Sequence, residues 1–433
     1  MESANRTNED RRMLRPSLGM RAMTVASLCF VAHLANAQGP TACGLNGPVI
    51  ECQATGSARD QLRTATFIAG SEAAGETLAQ AVALEVATAP FGSSSGGFTF
   101  SFDPETRTWS RTSGTFGPAF SERALTIGRG RLSAGFNFLH RSYDRFEDFS
   151  LDHFDVFRFQ GGALPVTVSD FQLGVKTNTL AAFAHYGLLN TVDIGVSIPY
   201  VQLTLEGTSR IFGAANEELQ RVLVDASGSG LADVTIAGKY RFWQFGADPA
   251  AGAAPNGALA AAVTVRVPSG DKDELRGLGL TRTLVSLVGS ATLGRFSPHV
   301  NVGYEFWSDG IEIPRDFQGL VTLVAKDQVQ YAGGVEYEVH PQLTLVADVI
   351  GRYQRATGSV GYQSFTFPAN RSNVQGATAL VAVPDGVHSM LLAPGAKWNV
   401  FRRTLVTAHV LVSITTSGLR DLVTPVIGVD WGF

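Results

Sequence analysis

Long apolar runs, charged residues and cysteines are all scarce in this sequence. Beyond the N-terminus, no stretch approaches the about 20 consecutive apolar residues that a membrane-spanning helix needs. Charged residues make up only 17% of the chain, the formal net charge is -4, and no basic cluster stands out. A helical membrane protein is therefore excluded, and nucleic acid is not an expected partner.

Apolar residues nevertheless make up 45% of the chain, and alternation disperses them. In residues 423–433 every second residue, from Val423 to Phe433, is apolar or aromatic, and the residues between are mostly small or polar. This is the period of a β-strand. An aromatic last residue on such a strand is typical of a bacterial outer-membrane barrel, whose outer face meets lipid and whose inner face meets water. An edge strand of a soluble sandwich is the alternative.

The N-terminus has the pattern of a secretory signal peptide. Arginines from Arg11 to Arg21 precede a short apolar stretch, which ends in a small-x-small cleavage site at Ala37. We expect residues 1–37 to be removed during export and Cys29 to leave with them.

Cys43 and Cys52 are the two cysteines that remain in the exported chain. A pair this close in sequence predicts one small disulfide loop, closed in the oxidising periplasm, and two free thiols are the alternative. Two cysteines are too few ligands for a zinc site, and the 8 histidines are scattered without a close pair. We expect no metal site and no cofactor.

Residues 38–122 are poor in strands of membrane type. Apolar residues recur at helical spacing from Ala58 to Ala89, with an interruption near Gly70, and a short hairpin with alternating phenylalanines follows. We expect a small mixed α/β segment that either plugs a barrel from within or hangs below it in the periplasm. The sequence leaves these two placements open.

From Arg123 to Phe433 the chain is a series of alternating strands separated by changes of turn chemistry. The predicted fold is all-β, a transmembrane antiparallel up-and-down barrel of about 12 strands, an even number because bacterial single-chain barrels close with both termini on the periplasmic side. The predicted strands are 124–143, 169–187, 191–209, 231–245, 257–269, 281–294, 298–308, 327–339, 342–355, 387–400, 403–416 and 421–433.

Short and long connections alternate along this series. The connections after the even-numbered strands are short or compact, such as His340-Pro341, whereas most of the others are longer and polar. Short turns belong on the periplasmic side of such barrels and long loops outside. The long connections are predicted at 144–168, 211–230, 308–326 and 356–385.

Tyrosine and tryptophan fall near the two ends of the predicted strands, where amphipathic rings collect at the boundaries between water and lipid. A soluble sandwich would gather its aromatic residues in one core. Tyr186, Tyr240, Trp243, Tyr337, Trp398 and Trp431 are predicted at the periplasmic boundary, and Tyr143, Tyr200, Trp307, Tyr331 and Tyr353 at the outer one.

Strand parity predicts which residues face the lumen. These residues carry both signs of charge, so they indicate either a pore lining that orients a polar or aromatic solute, or an ion-pair network that holds the barrel base or an inserted plug. Near Pro199 the apolar parity changes from Ile194 and Ile198 to Val201 and Leu205, which predicts a β-bulge. The lumen-lining candidates are Asp193, Lys239, Arg241, Arg266, Glu305, Glu336, Glu338, Asp348, Arg352, Lys397 and His409.

Four stretches carry a resemblance to a known group of barrels. They are 186–199 (YGLLNTVDIGVSIP), 230–242 (GLADVTIAGKYRF), 265–279 (VRVPSGDKDELRGLG) and 296–306 (FSPHVNVGYEF). With them, the region 123–433 is similar to the outer-membrane barrels grouped as transporters of the meta-pathway phenol-degradation type. The resemblance implies an outer-membrane channel for aromatic or other hydrophobic small molecules. The four stretches are turn and strand patterns, so they indicate fold more strongly than substrate.

His140 and Ser142 share one face near the outer end of the first predicted strand, as in an outer-membrane phospholipase that uses a serine, a histidine and an asparagine. A serine nucleophile needs a base within hydrogen-bond reach and a third group that orients the base. The sequence identifies no orienting asparagine and no oxyanion donor. We therefore expect a protein that is not an enzyme.

The hypothesis from the sequence is an outer-membrane channel that passes small hydrophobic or aromatic molecules through the barrel lumen. A structural or ligand-binding barrel without transport is the rival hypothesis. The expected partners are outer-membrane lipid and lipopolysaccharide, a small-molecule solute, and the barrel-assembly machinery, which would bind the C-terminal strand ending in Phe433.

Overall fold

A computed structural model describes most of the 433-residue chain. The signal peptide expected over residues 1–37, with its cleavage site after Ala37, lies outside the described residues. The described residues are 41–68, 72–90, 97–103, 108–111, 113–161, 168–213, 217–246, 256–314, 322–355, 359–366, 374–383, 386–401 and 403–433.

The described residues form helices α1 (Ala58–Ile68) and α2 (Glu72–Ala87), on either side of the interruption predicted near Gly70. Neither of these described helices is both long and apolar enough to cross a membrane. The strands are β1 (Thr41–Asn46), β2 (Val49–Ala54), β3 (Phe100–Asp103), β4 (Thr108–Arg111), β5 (Leu132–Tyr143), β6 (Arg145–Phe146), β7 (Phe149–Ser150), β8 (Phe154–Gly161), β9 (Val168–Leu189), β10 (Val192–Phe212), β11 (Glu218–Leu231), β12 (Val234–Phe245), β13 (Gly257–Val267), β14 (Arg282–Ala291), β15 (Phe296–Trp307), β16 (Ile311–Pro314), β17 (Thr322–Ala325), β18 (Gln328–His340), β19 (Leu343–Gln354), β20 (Ser359–Thr366), β21 (Val374–Val383), β22 (Val387–Phe401), β23 (Thr404–Ser413), β24 (Leu419–Arg420) and β25 (Val423–Gly432).

The wall is a closed antiparallel barrel. Its neighbouring strands are β5, β9, β10, β12, β13, β14, β15, β18, β19, β22, β23 and β25, and β25 pairs with β5 to close the cylinder. The short turns lie at one end, called the lower end here, which is the periplasmic side in single-chain barrels, and the long connections lie at the upper end. β10 pairs with β12 near the lower end and with β11 above it, so β11 and β12 share one wall position. The predicted 12-strand barrel is confirmed.

The first wall strand begins later than predicted. β5 starts at Leu132 rather than at residue 124. Residues 124–128 lie inside the lumen, where Ile127 is buried. Gly128 and Gly130 then adopt positive φ angles, which glycine tolerates without steric cost, and lead the chain into the wall.

Large apolar side chains cover the outer surface of the wall. Leu287 on β14, Val300 on β15 and Ile427 on β25 are 55%, 56% and 58% exposed. Val288, which follows Leu287, and Val426, which precedes Ile427, point inward and are buried. A continuous apolar belt of this kind requires lipid rather than water outside it.

β10 has no extra residue at Pro199 in its pairing with β9. On its other edge the register shifts there by one residue, from Ser197 opposite Thr235 to Tyr200 opposite Leu231, so the irregularity predicted near Pro199 lies between β10 and the neighbouring strands β11 and β12 and not in β10 itself. The strand pairs with β9 in one continuous register from Asp193 to Ile211. Above Pro199, Val201 and Leu205 still follow the inward parity, and they pack against the helices inside the barrel. The apolar side chains change from the outer face to the inner face while the register with β9 stays the same. The reason is that the strand leaves the lipid at this point and lines a packed helical core.

The prediction of a long connection at 211–230 is also wrong. β10 continues to Phe212 and β11 returns from Glu218, so the two strands extend the wall above the lipid-facing belt as a hairpin. β8 and β21 likewise form strands within the connections predicted at 144–168 and 356–385, and they pair with each other. Strands that stand in water lack the lipid-facing alternation by which the other strands were recognised.

The aromatic residues partly follow the prediction. Tyr240, Trp243 and Trp398 are each 54% exposed at the lower boundary of the outer face, as predicted. Tyr143 and Trp307 were predicted at the upper boundary, but they point inward and are 4% and 3% exposed. Their positions are explained by the helices, which turn the upper lumen into an apolar core that accommodates large rings.

Part of the N-terminal segment, including both helices, lies inside the barrel. β1 and β2 form a hairpin at the upper rim, joined by the predicted Cys43–Cys52 disulfide, and β2 extends β11 by parallel pairing. α1 and α2 fill the upper lumen, where Leu62 and Val82 share one buried cluster with Leu203 of the wall. Residues 41–90 are called the upper plug below.

Replacing Leu287 tests the lipid-facing assignment. We expect Leu287→Arg to lower the free energy of unfolding by about 2–4 kcal/mol, because a cation near the bilayer midplane is costly. Gln202→Arg is the matched control, since Gln202 is exposed on the outer face above the apolar belt, and it should cost about 0–1 kcal/mol. Urea unfolding of the two variants in lipid vesicles measures the difference. Equal losses would contradict the assignment.

Candidate functional site

Asp348, on the inward face of β19, anchors the chain that crosses the lower lumen. Its carboxylate is buried, and Oδ2 accepts hydrogen bonds from the backbone N–H groups of Ala119 and Phe120 at 2.9 Å each. Oδ1 lies 2.8 Å from Nε2 of His299 on β15. Hydrogen bonds to an ionised group contribute about 1.5–3 kcal/mol each, so Asp348 ties the inserted chain to two wall strands. Residues 113–131 are called the lower plug below.

Two further carboxylates of the wall bind the lower plug in the same way. Glu336 on β18 accepts the backbone N–H of Gly117 at 2.9 Å. Asp193 on β10 accepts the backbone N–H of Ile127 at 3.1 Å. The irregular plug has no strand ladder for its N–H groups, and these buried carboxylates take the place of one.

Two buried lysines bind the carbonyl groups of the lower plug. Lys239 Nζ donates to the carbonyl oxygen of Arg123 at 2.9 Å, and Lys397 Nζ donates to that of Pro118 at 2.6 Å. Lys239 also lies 3.7 Å from the carboxylate of Asp193, so the wall charges compensate one another. The wall thus presents anions to plug donors and cations to plug acceptors.

The upper plug is held by ion pairs as well as by its apolar core. Arg352 on β19 pairs with Glu85 of α2 and also donates to the hydroxyl of Thr88. Arg141 on β5 lies 3.6 Å from the other oxygen of Glu85. The two arginines, on two different wall strands, hold the lower end of α2 through the same carboxylate.

The disulfide-linked hairpin is attached to the wall by a charge cluster at the upper rim. Arg221 on β11 donates to Glu218 at 2.7 Å, and its guanidinium lies 3.6 Å from Glu51 on β2. The hydrogen bond from Arg221 lowers the pKa of the Glu218 carboxyl. The Glu218–Arg221 pair stays charged across the neutral pH range, and the cluster adds to the parallel β2–β11 pairing.

A second charge cluster lies beneath the helices. Glu305 on β15 is buried, and it pairs with Arg266 and lies 3.7 Å from Arg282. Arg282 is also buried, and it donates to the carbonyl of Ala87 at the end of α2 at 2.8 Å and to Asp233 at 3.4 Å. These contacts tie α2 to the upper wall.

Every lumen-lining candidate from the sequence faces the barrel interior. Most of them contact the plug, which favours the second of the two predicted roles, an ion-pair network that holds an inserted segment. Direct contact with a solute stays a prediction. Arg266 and Glu305 pair with each other, and Arg241 donates to the carbonyl of Asn190. The candidates that contact plug residues are Asp193, Lys239, Glu336, Glu338, Asp348, Arg352, Lys397 and His409.

Sequence reasoning missed several charged residues of the network. Asp430 accepts the backbone N–H of Gly97 at 3.0 Å and the hydroxyl of Ser133 at 2.6 Å. Asp430 is one of the polar residues that alternate with apolar ones in the last strand, so the sequence pattern could have identified it as facing the lumen. Asp233 and Arg282 lie where strands begin beside a loop, so parity alone does not place them.

A cavity of about 220 Å³ lies between the two parts of the plug. Pro90 of the upper plug and Phe120 of the lower plug line it, together with the wall residues Phe183, His185 and Arg266. Among the described residues, Nδ1 of His185 has no hydrogen-bond partner, although it is buried. A dry cavity of about 150 Å³ is enough to bind benzene, so this space accommodates a single-ring molecule with a small polar group. It is called the chamber below.

The family of the chain follows from a comparison of sequences. Residues 154–393, more than half of the chain, match the family described as "Putative MetA-pathway of phenol degradation". The chain belongs to this family. The resemblance noted in the sequence is thereby confirmed. No curated protein matches the sequence.

Solved outer-membrane barrels resemble the chain at low sequence identity. An outer-membrane channel from Pseudomonas putida F1 is 12% identical, with a TM-score of 0.44 over 72% of this chain and 98% of that one. The NanC porin is 9% identical, with a TM-score of 0.35 over 68% and 98%. A deletion mutant of the TodX monoaromatic hydrocarbon channel is 10% identical, with a TM-score of 0.32 over 72% and 91%. Likeness at this level concerns the barrel shape and carries no argument about function.

Removing the Asp348 carboxylate tests how the lower plug is held. We expect Asp348→Ala to speed hydrogen exchange at the amides of residues 119–121 by about tenfold or more, because each lost bond to the ionised group contributes about 1.5–3 kcal/mol. Asp348→Asn is the matched control, since it keeps an acceptor oxygen and should show a smaller change. Hydrogen exchange with mass spectrometry in micelles measures both variants. Unchanged exchange in Asp348→Ala would exclude the anchoring role.

Proposed function

We propose that this protein transports small hydrophobic or aromatic molecules across the outer membrane, through the chamber and past a movable plug. The chamber is the observation that carries the proposal, because it places a ring-sized space inside the barrel between two parts of one inserted segment. Phe120 and Phe183 offer apolar ring surfaces to a solute, and His185 and Arg266 offer polar groups. The family description, which names phenol degradation, supports the same class of solute.

The lower plug is the part that moves in this proposal. The upper plug is held by a continuous apolar core, and separating that core would expose it to water. The lower plug is held largely by hydrogen bonds from charged wall residues to its backbone. Water can replace such partners when the segment shifts, so local opening is less costly there than in an apolar core.

The same proposal includes the surroundings of the barrel. The apolar belt faces outer-membrane lipid and lipopolysaccharide, and the assembly machinery binds the C-terminal strand ending in Phe433. Export begins with the signal peptide, which is cleaved after Ala37.

A reversible cross-link tests whether the lower plug moves. Thr115 and Ser297 on β15 have hydroxyl oxygens 3.2 Å apart, so a Thr115→Cys/Ser297→Cys variant places two thiols within disulfide reach. We expect the oxidised variant to suppress unitary conductance steps in planar bilayers and uptake of phenol into liposomes, and we expect dithiothreitol to restore both.

Two controls accompany the cross-link. Ser297→Cys alone reports the effect of the substitution, and the native protein with dithiothreitol reports the effect of opening the Cys43–Cys52 bridge. Full uptake by the oxidised double variant would show that solutes pass a fixed plug. Silence of the native protein in both assays would favour the rival hypothesis, a structural barrel without transport.

Filling the chamber tests the route of the solute. Ala332 faces inward on β18 and lines the chamber, so Ala332→Trp should fill much of it and reduce phenol uptake strongly. Ala347→Trp is the matched control, because Ala347 is exposed on the outer face and its side chain meets lipid. Liposome uptake at equal amounts of folded protein compares the two variants. Equal uptake by both would exclude the chamber as the pathway.

A further inference from the structure

His140 and Ser142 lie on the outer face of the barrel and take no part in the lumen. β5 alternates so that Leu139 and Arg141 are buried inside, whereas His140 is exposed and Ser142 is partly exposed on the outside. The sequence alone identified no group that could orient the histidine. The neighbouring strand provides one.

Asn178 on β9 is paired directly with His140 across the two strands. Its Oδ1 lies 2.8 Å from Nδ1 of His140. An amide oxygen only accepts hydrogen bonds, so Nδ1 carries the proton and Nε2 is left as the basic nitrogen. Holding a histidine in this tautomer and orientation is the task of the third member of a hydrolytic triad.

Ser142 lies on the same outward face, two residues further along β5. Alternate residues of a strand are about 6–7 Å apart along its axis, and side chains lean along the strand, so an imidazole can close this gap to a serine hydroxyl. Lys176 occupies the position paired with Ser142 on β9 and brings a positive charge beside it. The four positions thus combine a nucleophile, a base, an orienting group and a cation.

The depth of this cluster matches that of an acyl ester in a membrane. One step below it on the outer face, the paired residues Phe138 and Leu180 are 39% and 47% exposed and belong to the apolar belt. At and above His140 the paired outward residues are polar. Lipid ester groups lie at this boundary, between the acyl chains and the headgroups.

We propose that Ser142, His140 and Asn178 form a hydrolytic site for the acyl esters of membrane lipids, on the outside of the barrel. Ser142 Oγ attacks the ester carbonyl while its proton passes to Nε2 of His140, and the carbon–oxygen bond to the alcohol breaks as that proton moves to the leaving alkoxide. Water then attacks the acyl-serine with His140 again as base, which releases the fatty acid and restores Ser142. Asn178 is a positioning residue. The site is independent of the proposed transport.

Fatty-acid release by the purified full-length protein in mixed micelles tests the site. One arm uses a diacyl phospholipid with a fluorescent acyl chain, and the other uses lipopolysaccharide, so the arms distinguish the two sources of acyl ester. We expect release in at least one arm, covalent labelling by a fluorophosphonate probe, and loss of both in Ser142→Ala. Ser229→Ala is the matched control, because Ser229 is exposed on the outer face and lies in the same row of paired residues as His140, three strands away through Asn178 and Gln202.

Substitution of Asn178 separates positioning from folding. We expect Asn178→Ala to lower kcat with little change in KM, and Asn178→Asp to keep activity while moving the rising limb of the pH–rate profile to higher pH, because a carboxylate stabilises the protonated imidazole. Heat-dependent migration on gels verifies that each variant is folded. Release or labelling by native protein that is equal to that of Ser142→Ala would overturn the proposal.

Discussion

A strand with lipid on one side must direct its polar side chains to the other, and the rest of this structure depends on that constraint. In the lower half of the barrel, the constraint places Asp193, Lys239, Glu336, Asp348 and Lys397 inside a narrow lumen, where each needs a partner. The lower plug provides partners in the form of backbone N–H and carbonyl groups. The charged groups of the wall and the backbone groups of the plug therefore satisfy each other's hydrogen-bonding needs, and neither part would be stable alone in its present form.

The same constraint ends where the wall rises out of the lipid. Above Pro199 the outer face of β10 becomes polar and the inner face becomes apolar, without any change in its register with β9. α1 and α2 fit there because they offer an apolar surface to Leu203 and Leu205. The lumen is consequently divided into an apolar upper part and a charged lower part, and the chamber lies where the two meet.

The outer face of the barrel also changes from apolar to polar residues near the upper edge of the lipid-facing belt. At the height of His140 the outward residues can be polar, while the lipid-facing apolar residues Phe138 and Leu180 lie directly below. This is a position where a water-dependent reaction can reach an ester in the membrane. The paired strands β5 and β9 are part of a rigid ladder, so the His140–Asn178 contact is held by the wall itself rather than by a loop.

Much of this fold was determined by the sequence, because a lipid environment imposes a strict period of two on each wall strand. Strand number, barrel closure and the inward placement of all lumen candidates follow from that period. The extramembrane strands β8, β11 and β21 could not be found in this way, because strands with water on their outer side need no apolar residues on the outward face. The partners of the lumen charges were decided only by the tertiary structure. Asp348 and Ala119 are 229 positions apart in sequence and meet because a closed cylinder surrounds an inserted segment, and no local pattern encodes which wall charge meets which part of the plug.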